Sequence, residues 1–280
     1  MYKNFFILLI LITLTIFIAG CNSKKKEELR AQNKLLVIAN LIDKNALNDA
    51  KIKIDSFHLN FPKLVEKRRI AAALEDTINR RECSRTILYC DSLHPIKKHE
   101  FDSIVKNFRF EKDSAYQQYG NYVHKFQITE QNSKRNYLKC IVNENAGLQL
   151  ISNYSGTKIG HKWIEVRNGD VYATTDTTNN SKSHEHYYNI GVDNFERVIF
   201  ENESAVAVVE FIYNNRTSRI KVMLGGKKSL VYFLESIDAK SIADSYHLWI
   251  VKKDILQLEK EIQKATHKIQ KINFRKKQHN

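Results

Sequence analysis

The chain has 280 residues, with 45 Lys and Arg against 31 Asp and Glu, which leaves a net charge of +14. This length is sufficient for one or two domains, each with its own hydrophobic core. After the first 20 residues no apolar run approaches the length of a membrane-spanning helix, which excludes a further span. No Cys-x-x-Cys pair occurs, which excludes a thiol redox motif and a zinc knuckle. The basic excess suits anionic partners such as lipid headgroups; the alternative is that these residues solvate helix faces.

The N-terminus combines one lysine, Lys3, with an apolar run, Phe5–Ile18, that is too short to span a bilayer. The residues Ile18-Ala19-Gly20-Cys21 follow. This pattern resembles a bacterial lipoprotein signal peptide and its lipobox. The resemblance implies that residues 1–20 are a signal peptide, that the Cys21 thiol is acylated, and that residues 21–28 form a lipidated tether. It places the protein in the cell envelope, with the outer membrane as the expected site and the face of that membrane left open.

Residues 29–108 are predicted to be helical, because no glycine occurs between positions 21 and 119 and apolar residues recur at three- and four-residue spacing. One such stripe contains Leu47, Ala50, Ile54, Phe57 and Phe61. Pro62 ends this helix, a second helix reaches about Cys90, and Ser92 and Pro95 predict the start of a third. The first hairpin is similar to half of a tetratricopeptide repeat, but the pattern occurs once, so an ordinary helical hairpin is the alternative.

Residues 109–236 are predicted to form an antiparallel β-domain, because all glycines beyond the signal lie between Gly120 and Gly226 and short alternating segments surround them. Three hairpins are predicted, over residues 137–154, over 162–175 around Asn168-Gly169, and over 219–234 with Gly225-Gly226 in the turn. Ala205–Tyr213 is predicted as a further strand and Thr174–His184 as a polar loop. Either a sandwich or an open barrel fits this pattern.

The C-terminal segment, residues 237–280, is predicted to be one long amphipathic helix with a heptad pattern and a basic tail. Its apolar stripe contains Leu248, Val251, Ile255, Leu258, Ile262, Ala265, Ile269 and Ile272. A parallel homodimer would place Asp254 against Glu259 of the second copy, so we expect the helix to pack back on the N-terminal helices. The predicted fold class is therefore α+β, with N-terminal helices, a central antiparallel β-sheet and a long C-terminal helix.

Few residues suggest chemistry. His184 and His186 are two positions apart, whereas a zincin requires histidines four positions apart on a helix, and no nucleophile elbow, P-loop or dinucleotide motif occurs. We therefore predict no catalytic residue, no metal ligand and no cofactor, and no enzyme activity is expected. An aromatic surface for carbohydrate is the one candidate binding site, and burial of these side chains in the core is the alternative. The residues concerned are His161, Trp163, Tyr187 and Tyr188.

The layout as a whole resembles lipoproteins of Bacteroidetes that have no established activity. A lipidated cysteine, helices ending at Asn60-Phe61-Pro62, a β-domain entered at Phe108–Asp113 and a charged terminal helix carry the resemblance. The expected function is that of a membrane-anchored scaffold that binds an envelope protein. The bilayer is a partner through acylated Cys21, and no nucleic-acid partner is expected. The alternative is a lipoprotein that binds a glycan or another envelope molecule on a face of the β-domain.

Overall fold

The computed structural model describes residues 24–132, 135–177, 185–190 and 193–279. Cys21 and most of the predicted polar loop, residues 178–184, lie outside these ranges. The described chain forms two compact units, a helical unit with residues 24–89 and 261–279 and a β-containing unit, Cys90–Lys260. Within the described ranges, none of the helices has the length and apolarity needed to cross a membrane. The α+β prediction is confirmed, whereas the predicted domain boundaries remain predictions.

The helical unit is built from four helices. The described part of helix α1 covers residues 24–43, α2 covers Leu47–Asn60, and both pack on the first part of α3, Val65–Ile104. The last part of α6, Ser236–His279, contacts the same part of α3. The core is formed by the apolar stripes of the first three helices, which include Leu35, Ile38, Ile42, Ala50, Ile54, Phe57, Ala71 and Ile78. The C-terminal helix contacts α3 as predicted, for example where Arg275 donates to Asp76 at 2.7 Å.

Helix α3 continues through Pro95, where the sequence predicted a break. A proline inside a helix removes one backbone hydrogen bond and costs about 3 kcal/mol. The residues on both sides of Pro95 are fixed by tertiary contacts: Cys90 is buried, Phe101 packs against the main core, and Lys97 lies 3.0 Å from Asp254 of α6. We infer that these contacts offset the lost hydrogen bond. The prediction of a separate third helix was therefore wrong.

The β-containing unit has two antiparallel sheets. The six-stranded sheet has the order β1-β2-β3-β4-β8-β7, and the four-stranded sheet has the order β10-β9-β5-β6. The six strands of the first sheet are β1 Phe108–Glu111, β2 Asn121–His124, β3 Tyr137–Asn143, β4 Leu148–Ser155, β7 Glu185–Ile190 and β8 Asp193–Glu201. The four strands of the second are β5 His161–Asn168, β6 Val171–Thr174, β9 Lys221–Gly226 and β10 Ser229–Phe233. The short helix α4 is Thr129–Asn132, and two 3₁₀ turns are Val105–Asn107 and Lys125–Gln127.

The segment 205–213, predicted as a strand, is part of helix α5, Glu203–Asn214. An apolar run of this length fits a strand or a buried helix, and periodicity alone does not separate the two. The buried positions, Ala205, Val208, Val209 and Ile212, follow the helical period, and they fill the core that both sheets share. The strand prediction was wrong because packing between the sheets, which the local sequence does not contain, selects the helix.

The three predicted hairpins are confirmed, but one pair of glycines has a different role. Ser229 pairs with Gly225, so the β9–β10 turn lies after the two glycines, and both belong to β9. A Cβ atom on Gly226 would lie 1.9 Å from the carbonyl oxygen of Gly160, and one on Gly225 would lie 2.0 Å from the Trp163 ring. The two glycines are therefore needed for the close approach of β5 to β9. The sequence pattern had placed them in the turn instead.

Candidate functional site

The candidate site lies on the outer face of the six-stranded sheet, the face turned away from the core that the two sheets share. Cross-strand pairing places Tyr137 opposite Asn153, and Asn153 opposite Arg197, in one row across β3, β4 and β8. Side chains alternate between the two faces of a strand. Since the neighbouring residues Leu138 and Val198 are buried in the shared core, the row projects from the opposite face.

A cavity of about 300 Å³ opens beside this row. This volume is at the lower end of the range for small-molecule sites. Its lining combines aromatic, charged and hydrogen-bonding residues from α4, β3, β4, β7, β8 and the segment before β3. The lining residues are Thr129, Glu130, Arg135, Tyr137, Asn153, Tyr154, Tyr188, Phe195 and Glu196.

The row contains buried polar atoms that have no hydrogen-bond partner. These are the Tyr137 hydroxyl, Asn153 Nδ2 and Arg197 Nε, three of the five such side-chain atoms among the residues that the structure describes. The Tyr137 residue is 1% exposed, and its hydroxyl lies near Thr129 without forming a hydrogen bond of normal geometry. An unsatisfied buried donor or acceptor costs about 1–3 kcal/mol. Three of them in one row therefore indicate a place where a polar ligand or water completes the bonding.

Arg135 forms one wall of the cavity and is held in place by its own partners. Its guanidinium donates to Asp238 at 2.5 and 2.8 Å and to Asn132 at 2.6 and 2.9 Å, and it stacks 5.0 Å from the centre of the Tyr137 ring. The hydrogen bonds with Asp238 raise the pKa of Arg135 above its ordinary value. Burial raises the pKa of Tyr137, so its hydroxyl stays protonated and can both donate and accept. The wall is thus rigid and positions a neutral hydroxyl.

An aromatic pair forms the other wall. Tyr188 and Phe195 are paired across β7 and β8, and their rings stack at 5.3 Å with an interplanar angle of 14°. Tyr188 is 40% exposed, so part of its surface is available to a ligand. Beyond the row, Lys139 is buried on the same face and donates to Thr129 at 3.1 Å. Burial, with a further contribution from Arg197, lowers the pKa of Lys139.

Of the four residues that the sequence nominated for binding, only Tyr188 lines this cavity. Tyr187 precedes it in β7 and lies under Lys158, whose Nζ is 3.7 Å from the ring centre. Trp163 is half-buried against Gly225 of the four-stranded sheet, and His161 is fully buried. The predicted aromatic surface therefore does not form. Tyr137, Asn153 and Arg135 were missed, and the only sequence signal for them is the predicted β3–β4 hairpin, which places Tyr137 near Asn153.

His161 belongs to a second polar cluster, with Ser152 and Glu196, on the core face of the sheet. His161 Nδ1 lies 2.5 Å from Glu196 Oε1, and His161 Nε2 is hydrogen-bonded to the Ser152 hydroxyl. This is the order of groups in a Ser-His-carboxylate triad. However, none of the three residues is more than 2% exposed, so no substrate reaches Ser152 in this conformation.

Glu196 instead binds the backbone that enters β5. Its carboxylate accepts the N–H groups of Ile159, Gly160 and His161 at 3.1, 3.0 and 2.5 Å. Burial alone would raise the pKa of Glu196, but hydrogen bonds from the side chain and backbone of His161 outweigh burial and lower it. The cluster therefore anchors the β4–β5 connection to β8. The N–H groups of Ile159, Gly160 and His161 all bind Glu196, so none of the three is available to stabilise an oxyanion.

Within the described ranges, no group of three or more His, Cys, Asp or Glu residues is placed to hold a metal ion. His186 lies in β7, and His184 lies outside the described residues. Comparison of the chain with protein-family models, curated proteins and solved structures finds no match.

Proposed function

We propose that this protein is a lipid-anchored binding protein of the cell envelope, and that the cavity on the outer face of the six-stranded sheet binds a saccharide unit of a glycan. The observation that supports the proposal most directly is that Tyr137 and Asn153, which line a cavity of about 300 Å³, each carry a buried polar atom without a partner. A sugar carries several hydroxyl groups, each able to donate and accept, which matches this phenol and this amide.

The walls of the cavity suit the same ligand class. Sugars have apolar C–H faces, and the exposed part of Tyr188 offers a flat aromatic surface supported by Phe195. The charge of Arg135 is balanced by Asp238, and Lys139 is largely desolvated. Neither residue therefore presents an unbalanced exposed cation that would select for a strongly anionic ligand. A small neutral polyhydroxylated ligand is the best match to these groups.

The location in the envelope is supported by Ile18-Ala19-Gly20-Cys21, which resembles a lipobox. Residue 24, three positions after Cys21 in the sequence, lies in helix α1. Acylation of Cys21 with two or three chains would exceed the two-signal requirement for stable membrane anchoring. Mass spectrometry of the protein isolated from membranes would test this part, since an unmodified Cys21 thiol or an intact N-terminus would contradict it.

Ligand binding is tested with purified full-length protein on an array of envelope and host glycans, followed by calorimetry with the best ligand. Tyr188→Ala should weaken binding about two- to tenfold, since an aromatic contact contributes about 0.5–1.5 kcal/mol. Tyr187→Ala is the matched control, because Tyr187 is equally exposed in the same strand but does not line the cavity. Equal effects of the two variants, or no glycan bound above background, would refute the proposal and leave a hydrated cavity.

A second candidate, the scaffold role, is favoured by a groove of about 780 Å³ between α5 and α6. Its floor includes Val206, Trp249 and Leu256, and Trp249 donates to the carbonyl of Ala146 at 2.9 Å. An amphipathic helix of an envelope protein would fit such a groove. Crosslinking in intact cells would test it: Leu256→Asp should abolish a crosslinked partner that Tyr188→Ala leaves in place.

A further inference from the structure

We propose that the groove between α1 and α2 of the helical unit binds the phosphate group of an anionic lipid headgroup at the membrane surface. The groove has a volume of about 570 Å³ and is lined by four basic side chains, Lys26, Arg30, Lys34 and Lys53. The proposal is independent of saccharide binding. It relies on the proposed lipid anchor only for bringing the groove to the bilayer.

Three of the basic residues form a stripe along α1. Lys26, Arg30 and Lys34 follow one another at four-residue intervals, so they lie on one face of the helix. Lys53 joins them from α2, in the same groove. Like charges at this spacing repel each other and destabilise a helix unless an anion is present. The stripe is therefore an arrangement that a bound phosphate would stabilise.

The four basic side chains are not neutralised by any part of the chain that the structure describes. Among the residues that the structure describes, none of the four forms a hydrogen bond or an ion pair. Glu27 is the one carboxylate that lines the groove, so the lining carries an excess of three positive charges. Elsewhere in the same unit basic residues do have partners, as Lys51 does with Glu82 at 2.7 Å. The groove thus combines unpaired donors with a concave surface.

The choice of a lipid headgroup over a free anion comes from the position of the groove in the chain. Phe57 and Phe61 border the groove with their rings 4.9 Å apart, but they are only 2% and 6% exposed, so a ligand would contact the basic side chains. Lys26 is five positions from Cys21, so acylation of that cysteine would hold the basic side chains close to the headgroups of the same membrane.

The test uses the mature chain from residue 21 with Cys21→Ser, so that neither acylation nor the apolar signal peptide contributes to membrane binding. Partitioning is measured by flotation with vesicles of phosphatidylcholine alone and of phosphatidylcholine mixed with phosphatidylglycerol. A basic side chain near an anionic surface raises partitioning about fivefold at low salt. The variant with Lys26→Ala, Arg30→Ala, Lys34→Ala and Lys53→Ala should therefore lose at least about tenfold in partitioning to the anionic vesicles.

The matched control removes four exposed, unpaired lysines of the same unit that do not line the groove, by Lys44→Ala, Lys63→Ala, Lys271→Ala and Lys276→Ala. Circular dichroism checks that both variants are folded. Because the two variants have the same net charge, any difference in partitioning reports the position of the removed charges. An equal loss in both variants would overturn the site, because net charge alone would then explain binding. Binding of glycerol phosphate without vesicles, with the same dependence on the four groove residues, would overturn the membrane assignment in favour of a free anion.

Discussion

Glu196→Gln is the substitution from which we expect the largest loss of stability for the smallest change of shape. The native carboxylate satisfies four donors: Oε1 accepts from the backbone N–H and Nδ1 of His161, and Oε2 accepts from the N–H groups of Ile159 and Gly160. An amide has one oxygen and one NH₂ group. In either orientation of the glutamine, two donors would face the NH₂ group instead of an acceptor.

The expected magnitude follows from these contacts. A buried donor without a partner costs about 1–3 kcal/mol, so two of them cost about 2–6 kcal/mol. Glu196 is 2% exposed, so solvent does not screen or replace these bonds. We therefore expect the free energy of unfolding of the β-containing unit to fall by about 2–6 kcal/mol.

Urea unfolding followed by tryptophan fluorescence measures this change. Both tryptophans, Trp163 and Trp249, lie in the β-containing unit, so the signal reports that unit and not the helical one. Glu201→Gln is the control, because Glu201 is an exposed glutamate in the same strand and its replacement should change stability by less than about 0.5 kcal/mol. A loss below about 1 kcal/mol for Glu196→Gln would show that the carboxylate does not anchor the β4–β5 connection, and would refute the reasoning.

Three further predictions concern pH, an unpartnered hydroxyl and a close backbone contact. Because the pKa of Glu196 is lowered in the folded state, its stabilising contribution is complete above the unfolded pKa of about 4.3 and is lost as the pH falls through the folded pKa. The free energy of unfolding should therefore fall less steeply with decreasing pH in Glu196→Gln than in the unmodified protein. Identical slopes would argue against the lowered pKa. Tyr137→Phe removes a buried hydroxyl without a partner, so we expect the free energy of unfolding to stay unchanged or rise by about 1 kcal/mol, while glycan binding weakens. A loss of stability above about 1 kcal/mol would reveal a hydrogen bond at this hydroxyl. Gly226→Ala would place a Cβ 1.9 Å from the Gly160 carbonyl oxygen, so we expect it to lower the free energy of unfolding in urea by about 3 kcal/mol. Gly169→Ala is the control: there is open space around Gly169, whose φ is +61°, so the loss should be about 1–2 kcal/mol. Equal losses would contradict the close approach of β5 and β9.

The sequence by itself determined the elements whose period or turn chemistry is local. The positions from Leu248 to Ile272 that repeat at heptad spacing are buried or half-buried in one continuous helix, because the period of a helix is a property of consecutive residues. The absence of glycine from both flanks predicted the helices there for the same reason. The hairpin around Gly169, whose φ is +61°, follows from the residue preference of tight turns.

Tertiary contacts decided the rest. Helix α5 forms because Val208 and Ile212 fill a core shared by two sheets, and the glycines of β9 serve a neighbouring strand. The candidate site depends on the pairing of Asn153 with Arg197, which brings β4 beside β8 from a distant part of the chain. A shift of β8 by one residue in that register would turn Arg197 toward the core and Val198 out of it. Strand pairing over such a separation is chosen by the packing of whole faces, so no pattern within either strand contains it.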